Sequence, residues 1–403
     1  MSDALSLPAR PNLDHYRKRA KNLVKTCTSG DAAALEQFSA RWIRVKKTNR
    51  TPACTLANAQ FVIAREHGFE SWPKFAKHIE GLTHARSPIS RFEKAVDAIV
   101  GGDAAMLARL LREDPSLARA RSTREHRSTL LHYVSANGVE DFRQKTPKNI
   151  VDIARMLLDA GADVDAESTA YGGHSTTLGL TATSIHPAVA GVQNELMQLL
   201  LDRGATLDTG DVVSCLRNGR GPAAEYLAER GARLDLEGAA GVGRLDVVQS
   251  FFNRDHSLKP TATPEQMADG FAWACGYGKT HVVDFLLQRG MDVAAKLKHH
   301  GQTGLHGAAG GGHVDTVTLL LLRHAPVDTR DDSFGGTPIG WALYGWSMSE
   351  LPDPRADYYE VVALLVAAGV PVNPDSLRGS DEFARKVRAD ARMHAALSGA
   401  RRP

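Results

Sequence analysis

The chain has 403 residues, 43% of them hydrophobic and 24% charged, and a net charge of +3, the composition of a soluble globular protein. No apolar run approaches the ~20 residues that span a bilayer, and the N-terminus lacks a charged-then-apolar signal pattern, so a cytosolic protein is expected. Cys27, Cys54, Cys215 and Cys275 form no Cys-x-x-Cys pair. Structural zinc is therefore not expected, and reduced thiols are.

Charge is uneven: residues 1–90 carry a balance of +8 and the remainder −5, which divides the chain into two parts. The first part reads as four helices. Asn12 opens an amphipathic run to Thr26, and Asp31 is placed to N-cap a helix carrying Leu35 and Phe38. Leu56 to Ala64 mark a third helix, stopped by Gly68. Ser71 caps a fourth, with Trp72, Phe75, Ile79 and Leu82 at helical spacing and Pro73 early, where its missing N–H is harmless. A linker at about 83–90 follows.

Beyond it the sequence repeats itself. Thr303-Gly304-Leu305-His306 runs on to Gly312-His313-Val314-Asp315, with echoes at Thr129-Leu130-Leu131-His132, Ala272-Trp273-Ala274-Cys275 and Thr337-Pro338-Ile339-Gly340-Trp341-Ala342. A small-residue turn recurs at Gly102, Gly138, Gly219, Gly243, Gly278 and Gly312, with last gaps of 35 and 34 residues. A second turn recurs at Gly161, Gly204, Gly231, Gly290 and Gly369. Glycine there fits a left-handed helix C-cap. A period near 34 residues marks a solenoid in which each repeat buries its apolar face only against its neighbours.

These motifs resemble the ankyrin repeat family over about residues 90 to 375. Repeats at 301–328 and 264–292 are near consensus, those at 126–165 and 334–371 carry insertions, 209–235 is short and 236–260 is degenerate. The string Leu56-Ala57-Asn58-Ala59-Gln60, Ala64 to Phe69 and Ser71 to Lys74 is similar to the helical leader before ankyrin arrays in many bacterial proteins. The expected fold is all-α: a basic helical N-terminal cap over 1–85, an array of about eight helix-turn-helix repeats over 90–375, and a C-terminal helical cap and tail over 376–403. Solenoid ends need such caps to stay soluble.

In ankyrin repeats the Thr-Pro-Leu-His histidine ties neighbouring backbone, which implies structural roles for His132 and His306. His281 and His313 are ordinary at the start of second helices. His174, His186, His299 and His300 sit at no framework position. The His299–His300 pair invites metal or proton chemistry, but adjacent residues point differently and no carboxylate follows at ligand spacing, so exposed polar loop residues are the expected reading. Cys215 and Cys275 read as buried packing residues.

Aromatics gather late in the chain: Trp273, Tyr277, Trp341, Tyr344 and Trp346 fall on inner helices, and Phe334 in a hairpin. Large aromatics on a concave ankyrin face are hot-spot material, although Trp273 and Trp341 can equally pack between helices. The hairpin acids Asp331 and Asp332 fit a solvated tip or an acid–base site. Three excursions break the period, at Val139–Lys148, Ser168–His186 (with Tyr171 and His174) and Ser347–Asp357, and such loops are often functional.

The basic run Arg41, Arg44, Lys46, Lys47 and Arg50 lacks any nucleic-acid-binding motif, and no glycine pair forms a phosphate loop. No nucleophile elbow is present, and neither cofactor nor metal is expected. The resemblance therefore implies a non-enzymatic scaffold whose concave surface binds another protein. The alternative is a small-molecule or catalytic site in the groove of the last three repeats, lined by His, Trp, Tyr and Asp.

Overall fold

A computed structural model describes residues 4–29, 32–46, 52–297, 301–348, 353–370, 385–387 and 389–399. The chain divides into two compact units, Met1–Thr206 and Leu207–Pro403. The described residues hold helices and no β-strand, only three isolated bridges: Arg121 with Thr129, Ser168 with Ser175, and Phe252 with Leu258.

The first unit begins with α1 (Leu13–Cys27), α2 (Ala32–Lys46), α3 (Leu56–Glu66) and α4 (Trp72–Thr83). The Asn12 side chain caps α1 by accepting from Asp14 N. Tyr16, Phe38, Phe69, Phe75 and Ile79 fill the leader's core, with Tyr16 edge-on to Phe75 at 4.9 Å. The cysteine expectation fails here. Cys27 and Cys54, 5.8 Å apart at Cα, form a disulfide that ties the end of α1 to the segment entering α3. A spacing of 27 residues carries no motif for this, because packing of α1 on α3 brings the thiols together. Cys215 and Cys275 form no disulfide and are buried, as their small-residue slots imply.

Repeats follow as helix pairs. The first unit holds α5 (Pro88–Gly101) with α6 (Ala104–Glu113), a 3-10 segment Leu131–Ser135 with α7 (Ile150–Asp159), and α8 (Thr177–Thr183) with α10 (Gln193–Asp202), α9 (Ile185–Val189) lying between them in the chain. The second holds α11 (Thr209–Arg217) with α12 (Gly221–Glu229), α13 (Leu236–Val242) with α14 (Leu245–Ser250), α15 (Pro264–Gly276) with α16 (Thr280–Gln288), α17 (Gly304–Gly310) with α18 (Val314–Leu322), and α19 (Pro338–Met348) with α20 (Tyr358–Ala367). The inner element at 131–135 is a 3-10 helix and not an α-helix, and it ends at Ala136, which turns left-handed (φ 49°) ahead of the 139–148 insertion.

The turn glycines behave as their spacing predicts. Gly102, Gly138, Gly219, Gly243, Gly278 and Gly312 have φ between 67° and 81°, and Gly161, Gly204, Gly231, Gly290 and Gly369 between 86° and 94°. Each repeat buries leucines and valines against the next, for example Val282, Val283 and Leu286 of α16 and Val317 and Leu320 of α18. The proposed start of the C-terminal cap, at Ser376, lies outside the described residues. A helix at Ala391–Leu397 packs on α20, with Met393 fully buried.

Candidate functional site: an aromatic face on the last repeats

The framework histidines explain how repeats are held in register. Nδ1 of His306 accepts from Thr303 N at 3.0 Å, so Nε2 carries the proton and donates to the Gly336 carbonyl of the next repeat at 3.2 Å. His132 repeats the device with Thr129 N (3.1 Å) and the Ser175 carbonyl (3.1 Å). Burial lowers both imidazoles, that of His132 to about 4, so the neutral ring is the native form. His281 and His313 reach back instead, to the carbonyls of Gly243 and Gly276 at 2.9 Å each.

The aromatic residues divide into three groups. Phe334, Trp341 and Tyr344 make a ladder, edge to face at 6.0 and 5.8 Å. Phe334 is 73% exposed and Tyr344 56%, so the ladder presents rings to solvent. Trp273 of α15 and Tyr277, which caps that helix, form a second group, 6.4 Å apart. Tyr277 is held inward, its hydroxyl donating to the Leu216 carbonyl, and burial raises that phenol above its ordinary range. Trp346 turns the other way, donating to the Tyr359 hydroxyl at 3.3 Å beneath the Lys386 ammonium.

The two hairpin acids differ. Asp331 is buried, accepting from the backbone N–H groups of Ser333 (2.9 Å), Phe334 (2.6 Å) and Gly336 (2.8 Å) and from the Trp341 indole (3.0 Å). Burial opposes its ionisation, but these donors outweigh burial and hold its carboxyl below the usual range. It shapes the hairpin. Asp332 is exposed and pairs with Lys296 at 2.6 Å. His299 and His300 lie outside the described residues. Tyr171 and His174 belong to the first unit: the Tyr171 hydroxyl donates to Asn137 Oδ1 at 2.6 Å, and exposed His174 meets Glu167 at 2.8 Å. Among the described residues no three His, Cys, Asp or Glu side chains converge as a metal site.

Sequence reasoning missed a buried charge cluster in the first unit. Arg124 joins Glu93 (2.6 Å) and Glu140 (2.8 Å), and Arg143 joins Glu93 (2.7 Å) and Asp97 (2.7 Å). Burial would raise Glu93, but the two guanidiniums outweigh it and hold it at about 2. Arg143 and Glu140 come from the 139–148 excursion, which here ties a repeat together. Tyr133 Oη and Glu140 Oε2 are buried without a hydrogen-bond partner. A cavity of about 30 Å³ borders Glu140, His126 and Ala4, room for about one water. A larger recess of about 420 Å³ lies by Leu321, His324 and Gly369, away from the aromatic ladder's residues, with one histidine and one carboxylate on its walls.

The basic run of α2 is not free. Arg41 makes a two-bond fork with buried Glu66 (2.7 and 2.6 Å), Arg44 lies 3.5 Å from the same carboxylate, and Lys46 sits 4.4 Å over the Phe61 ring. Lys47 and Arg50 lie outside the described residues.

Residues 236–331 and 271–376 match the family model for ankyrin repeats in three copies. With helix pairs, left-handed glycine caps and bridging histidines at the same period, this shows ankyrin repeats over residues 236–376. It is similar to inversin of Danio rerio, 36% identical over 81 residues, covering 20% of this chain and 8% of that protein. Inversin of Gallus gallus is 45% identical over 60 residues, covering 14% of this chain and 5% of that protein. The ankyrin repeat and KH domain-containing protein mask-1 of Caenorhabditis elegans is 27% identical over 207 residues, covering 47% and 7%. The chain thus spans less than a tenth of the length of these curated relatives. Among solved structures, the human ASB11 ankyrin repeat domain aligns with a TM-score of 0.33 at 20% identity, over 72% of this chain and all of that one. The ankyrin repeat domain of Bcl-3 aligns with a TM-score of 0.31 at 20% identity, over 61% and 92%.

Proposed function

We propose that the chain is a non-enzymatic scaffold of the cytosol that binds another protein through the aromatic face of its last three repeats. The observation that carries this is the Phe334–Trp341–Tyr344 ladder, whose outer rings are 73% and 56% exposed. Ankyrin repeats are protein-interaction modules, and a rigid preformed surface loses little entropy on binding. The leader's likeness to those of bacterial ankyrin proteins supports a bacterial source. Nucleic acid fits less well, because Arg41 and Arg44 are turned onto Glu66. The alternative, a catalytic or small-molecule site in the same groove, lacks a free acid–base pair at Asp331, whose oxygens already accept from four donors.

The test is alanine substitution of Phe334, Trp341 and Tyr344, read by calorimetry against a partner recovered by pull-down. A true anchor costs about 2 kcal/mol or more, roughly thirtyfold in affinity. Unchanged affinity in all three variants, with helicity intact, overturns the reading.

A further inference from the structure

The first unit keeps buried polar chemistry that the aromatic face does not use. The small cavity beside Glu140 lies where the leader meets the first repeats, with Ala4 and Gly68 on one side and Arg124, His126 and Glu140 on the other. Backbone hydrogen bonds close the seam around it. Leu5 N donates to the Glu66 carbonyl at 2.7 Å, and Glu125 N to the Gly68 carbonyl at 2.9 Å.

Two of the bordering residues hold a buried atom without a hydrogen-bond partner, His126 Nε2 and Glu140 Oε2. These atoms stand 3.8 Å apart, too far to bond directly. An oxygen about 2.8 Å from both would bridge them. The roles of the two atoms are fixed. His126 Nδ1 accepts from Ser128 N at 3.1 Å, so Nε2 carries the proton. Glu140, ionised beside Arg124 and Arg143, can only accept. The bridging atom must therefore accept one bond and donate another, which a neutral hydroxyl does. An ammonium has no lone pair for His126, and a carboxylate has no proton for Glu140. Two buried groups left bare would each carry a desolvation cost.

The walls grade outward. Arg124 and Glu140 are buried, Ala4 and Glu125 are partly exposed, and Tyr171 is exposed. Tyr171 holds a left-handed backbone (φ 52°), rare for a bulky residue, and its hydroxyl is tied to Asn137. Gly172 and Gly173 beyond it have nothing within 4 Å of a would-be Cβ. The cover over the cavity is thus tied at its tip and lightly packed at its base.

We infer that this seam binds one neutral hydroxyl group, seated between His126 Nε2 and Glu140 Oε2. The cavity of about 30 Å³ takes either solvent water or the terminal hydroxymethyl of a small polyol that enters between Ala4 and Tyr171. The site lies outside the aromatic face and rests on none of its residues.

The experiment uses the full chain. Crystal structures of the parent and of His126→Asn are compared, and saturation-transfer NMR is recorded with glycerol and with dimethoxyethane, which has no hydroxyl. Asparagine still offers Ser128 N an acceptor but lacks the second ring nitrogen. The parent should show an ordered oxygen within hydrogen-bond reach of both atoms, and His126→Asn should not. Glycerol should bind roughly tenfold more weakly to His126→Asn, the loss of one hydrogen bond. Ala4→Leu should exclude glycerol by filling the mouth. It lies at a partly exposed position and carries the test if His126→Asn does not fold. An ordered oxygen without glycerol transfer assigns the hydroxyl to water. Absence of both oxygen and transfer, transfer that survives both substitutions, or equal transfer to dimethoxyethane overturns the inference.

Discussion

Trp341 and Asp331 lock each other in place: the indole Nε1 sits 3.0 Å from a carboxylate oxygen that also accepts from Gly336 N at 2.8 Å. The residue that sets the hairpin's turn thereby also sets the angle of the ring above it. Asp331→Ala leaves three backbone donors and one indole donor without their acceptor. It should destabilise the fold by about 1–3 kcal/mol and shift tryptophan emission, as read by urea unfolding followed by fluorescence. A variant as stable as the parent would show that the ring is not held this way.

His306→Ala should lower stability by about 1–3 kcal/mol, because Thr303 N and the Gly336 carbonyl lose their shared partner. Partner affinity, measured below the melting transition, should not change. Lost binding with unchanged stability would make His306 a binding residue.

Truncating the buried cluster should cost more. Glu140→Ala leaves Arg124 and Arg143 with one buried carboxylate between them in place of two. Removing one partner of such a group typically costs about 3–5 kcal/mol. Differential scanning calorimetry of the full chain should show the loss in the transition of the first unit.

Stability should fall in two steps on acidification. His78 and His132 are buried with pKa values lowered to about 4, from 6.5 when unfolded. Between those values the unfolded chain binds more protons. The stability these rings contribute is thus complete above about pH 6.5 and is lost as pH falls toward 4. Glu93, held at about 2 against 4.5 unfolded, contributes in the same sense, with its loss between 4.5 and 2. Urea midpoints from pH 7.5 to 3 should decline through both windows. A flat profile between 7 and 5 would contradict neutral framework histidines.

Two left-handed glycines should separate backbone strain from crowding. Gly219 (φ 71°) has nothing within 4 Å of a would-be Cβ, whereas at Gly312 (φ 73°) the Cβ of Ala356 would lie 2.8 Å away. Gly219→Ala should cost about 1–2 kcal/mol, the left-handed penalty alone, and Gly312→Ala clearly more. Equal costs would mean that the loop at Ala356 moves aside freely.

The repeat geometry was legible because each element has a local chemical reason. A left-handed turn wants glycine, and a histidine three residues after a threonine can bridge to the next repeat. Asp331 and Asp332 look alike in sequence, yet one is a saturated internal acceptor and the other an exposed ion-pair partner, a difference decided by the direction of the chain at Gly335 and Gly336. Glu93, Arg124 and Arg143 come from segments 31 and 50 residues apart, with no period connecting them, so their union emerges only when the chain folds. The pairing of Cys27 with Cys54 escaped for the same reason.

The histidine bridges also bear on how the chain responds to force. His281 and His313 reach back to Gly243 and Gly276, while His306 reaches forward to Gly336, so each of these links joins adjacent repeats, and a few others, such as Tyr277 to Leu216, skip one. Stretched from its ends, such a chain shares tension among a few hydrogen bonds per junction and yields one junction at a time. The second unit would then pay out length in small, similar steps and rewind in the same increments, acting as a compliant tether that keeps its aromatic face until the last repeats open.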